Sequence, residues 1–482
     1  MSDPRDVLQS MFSVTNRFAN YGDVIVSMNI KGVRCHRDTT IEFESPITAF
    51  CGLNGTGKST VLQLAAAGYR LGRTGGYRVD RFIVVNRLDP GVIHSGSKVQ
   101  FRYWNEDRTC RQNTLSFRGY WDGYNDRPNR KVYFGGIGMY LPKSESPSFI
   151  NKSRRLTVSS SAAFALRIKE WTCKILGFGY EAITSNATSV QTRAGNKVSS
   201  VQRDSVSYSE GSMGFGEART LHLISMLETL PDKSLILIEE PETSLHLSAQ
   251  HEFGNYLVNV CQHKRHQILI TTHSEFILQA LPTASRIFLD RQGTQVKPIP
   301  GLTSLQAKSF MADGHVKAIK ILVEDETARA ILAEIIRRHD ARLLTSVGIY
   351  VGGDKDRIAN TVRGLQGTGI PIAAVRDADK DGSTKENIFK LPGIAAPEKE
   401  VFNSSAFKKH MHDVYGLKLD DFTTTLQGVD HHDWFKRLAE KVQKSESALI
   451  WEAAKCYVHG LPENETSTLT ALLKEASQLR IS

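Results

Sequence analysis

The residues best suited to chemistry fall into three groups. The first, Gly52-Leu53-Asn54-Gly55-Thr56-Gly57-Lys58-Ser59, has the spacing GxxxxGK[ST]. Glycines so spaced let a backbone wrap with several N–H groups pointing at one phosphate chain. Asn54, Gly55, Gly57 and Thr60 are predicted to line that cradle. Lys58 is predicted to reach the β- and γ-phosphates of ATP, and Ser59 to bind Mg²⁺. The second group closes the apolar run SLILIEE with Glu239 and Glu240. Adjacent acids ending a buried strand are costly unless they meet a cation. Glu239 is expected to help hold Mg²⁺, and Glu240 to orient or deprotonate an attacking water. His273, at the end of QILITTHS, is the expected γ-phosphate sensor.

The third group is acidic. Glu324 ends the run KAIKILVE, and Asp377 and Asp379 end IPIAAVRDADKD. Residues two apart on a strand share a face, so the two aspartates are placed toward one site, with Glu324 arriving from a neighbouring strand. Close carboxylates repel, and a hard divalent cation is their natural partner. Gly352 and Gly353 would let backbone approach closely. Two solvated loop ends are the alternative reading of the same acids. The tail motif Asp430-His431-His432-Asp433-Trp434-Phe435 offers metal ligands or a proton donor. Adjacent residues do not share a helical face, so at most one histidine is expected to point inward, with a structural or substrate-facing role favoured.

These groups need elements to position them. VIVSMNI and TTIEFESPITAF read as strands, the second running into the glycine loop, and VLQLAAAGY as the helix after it. Over 81–205 the pattern loosens. FIVVN and KVQFRYW read as strands, SAAFALRIKEWTCKIL as an amphipathic helix with Phe164, Ile168, Trp171 and Ile175 on one face, and the stretch between as loop. From Tyr208 strands and helices alternate, which implies a largely parallel α/β sheet. The segment 293–314 reads as a linker, followed by a second, smaller α/β unit and a helical, polar tail. The expected organisation is a head over 20–300 with an insertion at about 80–205, a second domain over 313–403, and a helical extension over 404–482.

Composition bounds the rest. The chain has 482 residues, 40% hydrophobic and 23% charged, as in ordinary globular proteins. It has no apolar run long enough to span a bilayer. The opening MSDPRDVLQS has early acids and no apolar core, which argues against a secretory signal. Six scattered cysteines without a CxxC pair argue against both a zinc site and a disulfide framework and fit a reducing cytosol. A net charge of +10 attracts polyanions, nucleic acid among them.

With IEEPETSLHL and TTHS added to the glycine loop, the sequence resembles the ABC-type ATPase heads of the SMC and RecF group. Most closely it resembles the ATPase of the OLD (overcoming lysogenisation defect) nucleases. The resemblance implies that MGFGE is the signature loop, with Gly214, Gly216 and Glu217 contacting ATP held by another subunit, and hence a homodimer or higher assembly through the heads. Phe215 stands where a small residue is commoner. Glu324, the glycine pair and Asp377-Ala378-Asp379 resemble a Toprim domain. That implies Mg²⁺, or Mn²⁺, held by the aspartates, with Glu324 as general base or ligand. Asp325 stands where glycine is common. A further acid is expected in PEKEVF, with Glu400 chosen over Glu398 because an apolar pair follows it.

The fold expected is therefore α/β: an ABC-type head with a mixed or parallel sheet, then a Toprim α/β domain and a helical tail. The leading function is an ATP-regulated, Mg²⁺-dependent endonuclease on nucleic acid, DNA first, in bacterial anti-phage defence and with a second component as a partner. The rivals are an ATP-driven sensor or clamp without nuclease activity and an RNA-cleaving Toprim toxin. No membrane partner is expected.

Overall fold

The computed structural model describes all residues except 1–2, 73–74, 138–142, 191–192, 195–196, 313–314 and 477–482. The expected start of the second domain at 313 and the last residues of its tail lie outside the described residues. The chain forms two compact units, Met1–Ala307 and Lys308–Ser482.

In the first unit, a six-stranded sheet runs in the order Gln295–Pro300, Arg286–Gln292, Ile47–Cys51, Gln267–Thr271, Leu235–Glu239, Val132–Gly135. Its pairings are parallel except that of the edge strand Gln295–Pro300, which is antiparallel. Central strands such as Ile47–Cys51 and Gln267–Thr271 are buried at every position, as a parallel sheet covered on both faces demands. A second, antiparallel sheet joins Ile25–Val33 to His36–Glu42 and to Ile93–Trp104, which continues to Cys110–Phe117 and Trp121–Asp122. One core links both sheets through Met28, Phe50, Leu62, Phe101 and Leu237.

Several expectations for 81–205 change. Phe82–Asn86 is not a strand: no neighbour pairs with it, and Val84 and Val85 are exposed. The stretch read as loop contains strands: Cys110–Phe117 folds back on Ile93–Trp104 as a hairpin, and Val132–Gly135 finds its partner far away in sequence, at Leu235–Glu239. Residues 93–135 thus belong to the two sheets, and the excursion is Thr157–Ser209, whose strands form a separate antiparallel sheet. The predicted helix begins only at Leu166, since 161–163 belong to the strand Thr157–Ala163, although Ile168 and Ile175 do share its buried face. The expected linker over 293–314 instead holds the strand Gln295–Pro300 and the helix Ser304–Met311.

In the second unit four parallel strands run in the order Val347–Val351, Ile319–Val323, Ile372–Arg376, Ile388–Lys390. The helix Glu326–Ser346 follows the first of these in sequence, its N-terminus capped by the Asp325 carboxylate accepting from Ala328 N–H at 2.8 Å. Asp354 caps Lys355–Gly364 in the same way. Among the described residues six α-helices follow, from Pro397–Asn403 to Glu463–Ala476. One apolar core runs through Ile321, Val375, Phe402, Phe407, Phe435 and Leu449, so the expected boundary at 403/404 does not separate two cores.

Candidate functional sites

The glycine loop lies between the strand Ile47–Cys51 and the helix Lys58–Ala66. Gly57 has φ +86°, and a Cβ there would stand 2.2 Å from His36 Nε2, so only glycine lets the loop close against the hairpin turn of the second sheet. Asn54, Gly55, Gly57, Lys58, Ser59 and Thr60 line one cavity of about 450 Å³. Glu240 and His273 line its other wall. Lys58 Nζ donates to Gly52 O and Leu53 O, each at 2.9 Å, and burial lowers its pKa from the ordinary lysine value.

Glu240 has φ +43°, a left-handed conformation that non-glycine residues seldom adopt. Its N–H donates to Thr271 O at 3.0 Å, which fixes the bend just past the strand Leu235–Glu239. His273 Nε2 lies 4.0 Å from Glu240 Oε1, and His273 N–H donates to Glu242 Oε1 at 2.6 Å. Burial, then Lys58, lowers the His273 pKa. Glu239 is outside the cavity lining, yet its Oε1 is buried with no partner. An unpaired buried carboxylate oxygen is costly unless it meets a cation.

Gly214, Gly216 and Glu217 are not in that lining. Gly214 caps the helix Phe215–Thr229, and Glu217 Oε1 accepts from Tyr180 O–H at 2.6 Å and Tyr208 O–H at 2.8 Å. Sequence reasoning passed over Arg34 and Arg291. Arg34 Nη1 donates to Thr60 Oγ1 at 3.1 Å and Gln63 Oε1 at 2.9 Å, and Arg291 Nη1 to Gly55 O at 3.0 Å. Both line the cavity, and only three-dimensional pairing brings them to it.

The second unit holds a cavity of about 630 Å³ at the carboxyl ends of its parallel strands, where open α/β sheets bind ligands. Glu324, Asp377, Asp379 and Gly353 line it together. The strand ends at Arg376, so a turn, closed by Lys380 N–H to Asp377 O at 3.1 Å, presents the two aspartates instead of the strand's alternation. Asp377 is 5% exposed, and its Oδ1 has no partner. Burial first, then Glu324, Asp325, Glu398 and Asp379, push its pKa up to about 8. Burial also raises Glu324. Such a donor set, crowded with negative charge and with Asp377 Oδ1 unpartnered, fits a divalent cation.

The expected Glu400 is not in that lining. Glu400 Oε1 accepts from Ile394 N–H and Ala395 N–H, each at 2.8 Å, and so ties down the loop before its helix. Glu398 is 2% exposed, has an unpartnered Oε2, and is pushed up to about 7 by burial and Asp325. The reason is helical geometry: Glu398 lies three and four residues before Val401 and Phe402 and shares their buried face, whereas Glu400 does not. That spacing was readable in the sequence.

The limit of one inward histidine is also corrected. His431–Asp433 is a single 3₁₀ turn, so the α-helical periodicity does not apply. Asp430 caps the turn by accepting His432 N–H at 3.1 Å. Trp434 and Phe435 anchor it on Phe402, with ring centroids 5.3 and 5.2 Å apart. Both His431 and His432 line the acidic cavity.

Comparison with known proteins bears on the first unit. Residues 47–279 match the family model described as "AAA domain, putative AbiEii toxin, Type IV TA system", and residues 24–65 match "AAA ATPase domain". The first unit therefore carries an AAA-type ATPase domain, in a chain of mixed α/β fold with a helical C-terminal part. No curated protein matches. Among solved structures, an SMC head bound to the C-winged helix domain of ScpA is 13% identical, over 57% of this chain and 97% of that one, with a TM-score of 0.38. The SMC head domain from Thermotoga maritima is 13% identical over 57% and 98%, with a TM-score of 0.33. An SMC head with an extended coiled coil, bound to the C-terminal domain of ScpA derived from Pyrococcus furiosus, is 12% identical over 60% and 99%, with a TM-score of 0.38. Among the described residues no helix is long and apolar enough to cross a membrane.

Proposed function

We propose that the chain is an ATP-regulated, Mg²⁺-dependent endonuclease whose second unit is a Toprim-type phosphodiesterase acting on nucleic acid, DNA before RNA, in defence against phage. The observation that carries this reading is the buried, unpartnered Asp377 Oδ1 in a cavity shared with Glu324 and Asp379. Under this reading residues 313–403 are the Toprim domain, 404–482 its helical extension and 20–300 the ATPase head.

In the head, Lys58 and the loop N–H groups hold the triphosphate. Ser59 and Glu239 hold its Mg²⁺, Glu240 orients the attacking water, and His273 faces the γ-phosphate. Gly214, Gly216 and Glu217 complete the site of a second copy, which makes the active form a homodimer or larger. In the second unit Asp377 and Asp379 would hold Mg²⁺, or Mn²⁺. That cation, when bound, neutralises charge developing on the phosphate and positions the water. Glu324, its carboxyl already raised, takes a proton as general base or serves as a further ligand. Lys380 and Lys399 on the cavity wall attract the phosphate backbone, and a net charge of +10 supports a polyanionic substrate.

The test is a nicking assay with Mg²⁺ and ATP on plasmid, single-stranded DNA and transfer RNA. Cleavage of one of them, lost in Asp377→Asn, supports the reading. ATP-dependent binding without cleavage favours a clamp or sensor instead.

A further inference from the structure

His431 and His432, which line the acidic cavity, belong to a second group of potential ligands. Glu398, His431 and His432 each offer one ligand atom, and these atoms lie within 4.8 Å of one another. Three donors that close can converge on one ion at ordinary ligand distances. A second observation points to a ligand independently: Glu398 is 2% exposed, yet its Oε2 has no hydrogen-bond partner.

The local fold builds this group. The Glu398 face of Pro397–Asn403 is held down by Val401 and Phe402. The 3₁₀ turn is held against the same helix by Trp434 and Phe435 on Phe402. Aromatic packing thus sets the distance between the carboxylate and the two imidazoles. The rings themselves lie 4.1 Å apart between centroids. Asp430 Oδ1 stands 3.3 Å from His431 Nδ1, and Asp325 Oδ2 3.9 Å from His432 Nδ1. Carboxylates beside ligand imidazoles orient them and raise their basicity.

We infer that Glu398, His431 and His432 form a binding site for a borderline transition-metal ion, Zn²⁺ by preference, distinct from the all-oxygen site at Glu324, Asp377 and Asp379. Donor chemistry separates the two. Carboxylates alone suit Mg²⁺ or Mn²⁺, whereas two imidazoles and one carboxylate select later first-row metals and match a three-ligand zinc site with one position open. The open position faces the shared cavity, so an ion there is available to a water or a phosphate oxygen. The inference holds whether or not the chain cuts nucleic acid.

The test is direct metal binding by the full chain in millimolar Mg²⁺, with Zn²⁺ by calorimetry and Co²⁺ by visible absorption. Wild type takes up Co²⁺ with the intense visible bands of a low-coordinate site and no thiolate charge-transfer band. His431→Gln, His432→Gln and Glu398→Gln each weaken Zn²⁺ binding by about tenfold or more, and Asp377→Asn changes it by less than about threefold. The turn is at the surface, and circular dichroism checks that the variants keep the fold. Zn²⁺ affinity unchanged in the double variant His431→Gln/His432→Gln overturns the inference, as does Zn²⁺ binding lost in Asp377→Asn but kept in the histidine variants. Failure of the nicking assay leaves these outcomes untouched, so the two readings fail separately.

Discussion

Asp377 donates its backbone N–H to Glu324 Oε1 at 3.2 Å, while its own Oδ1 is buried without a partner. The contact fixes the Glu324 carboxylate against the turn that carries both aspartates. The buried, unpartnered Asp377 oxygen is costly unless it meets a proton or a cation.

This arrangement makes stability depend on pH and on Mg²⁺. The folded-state values of Asp377, about 8, and Glu398, about 7, lie above the ordinary carboxylate range. The folded chain therefore holds these protons more tightly than the unfolded one. The stability so conferred is complete below about pH 4 and is lost as pH rises through 7 and 8. In chelator, the wild-type melting temperature should fall relative to Asp377→Asn as pH rises through neutrality. Adding Mg²⁺ at the alkaline end should raise wild type more than the variant. Thermal melts across pH check both statements, and parallel curves for the two proteins would contradict them.

The first unit should respond in the opposite sense. His266 is fully buried, its Nδ1 accepting from Ser234 N–H at 3.2 Å and its Nε2 donating to Leu227 O at 3.1 Å. A second ring proton would break the Ser234 bond, and burial lowers the pKa to about 4. Because the folded value lies below the unfolded one of about 6.5, stability is present above that value and is lost as pH falls toward 4. His266→Gln should be less stable at neutral pH, with a shallower acid slope between those limits. Chemical denaturation at stepped pH measures the slope, and an unchanged slope would count against the assignment.

Gly216 is required for packing beyond any contact with nucleotide. A Cβ at this position would stand 2.2 Å from Ser244 O, a backbone atom that cannot swing aside. Gly216→Ala should cost about 1–3 kcal/mol of stability. A melting temperature equal to wild type would show that the helix Phe215–Thr229 sits farther from the Thr243–Leu245 turn.

Much of this was legible in one sequence. The glycine loop, Glu240 and His273, which line one cavity, each lie where a run of strand-forming residues stops, a pattern local enough to read. Glu324, Asp377 and Asp379 were found the same way. Glu398 was missed although its spacing from Val401 and Phe402 was available, because the apolar pair was weighed against the nearer acid. The histidine pair was undervalued because a 3₁₀ turn and an α-helix carry no distinguishing mark in four polar residues. Arg34 and Arg291 could not be found by any local pattern: strand pairing and loop closure bring both to Lys58.

Turnover and assembly should separate at the head. Lys58→Ala should lose ATP binding, because Lys58 supplies the charge in the phosphate cradle. Glu240→Gln should keep binding and lose hydrolysis, and in ATP should accumulate as a dimer. Calorimetry and light scattering check these outcomes. A strict monomer in ATP would contradict the shared-site account, and unchanged affinity in Lys58→Ala would contradict the site itself.

Cleavage and binding measured on one nucleic acid with one pair of proteins test the central claim most directly. With Mg²⁺ and ATP, wild type should nick its substrate, and Asp377→Asn should bind it with similar affinity and not cut, because phosphate contacts come from lysine and arginine while the cation depends on the carboxylate. Equal cutting by the two proteins, or no cutting by wild type of any DNA or RNA it binds, would contradict the account.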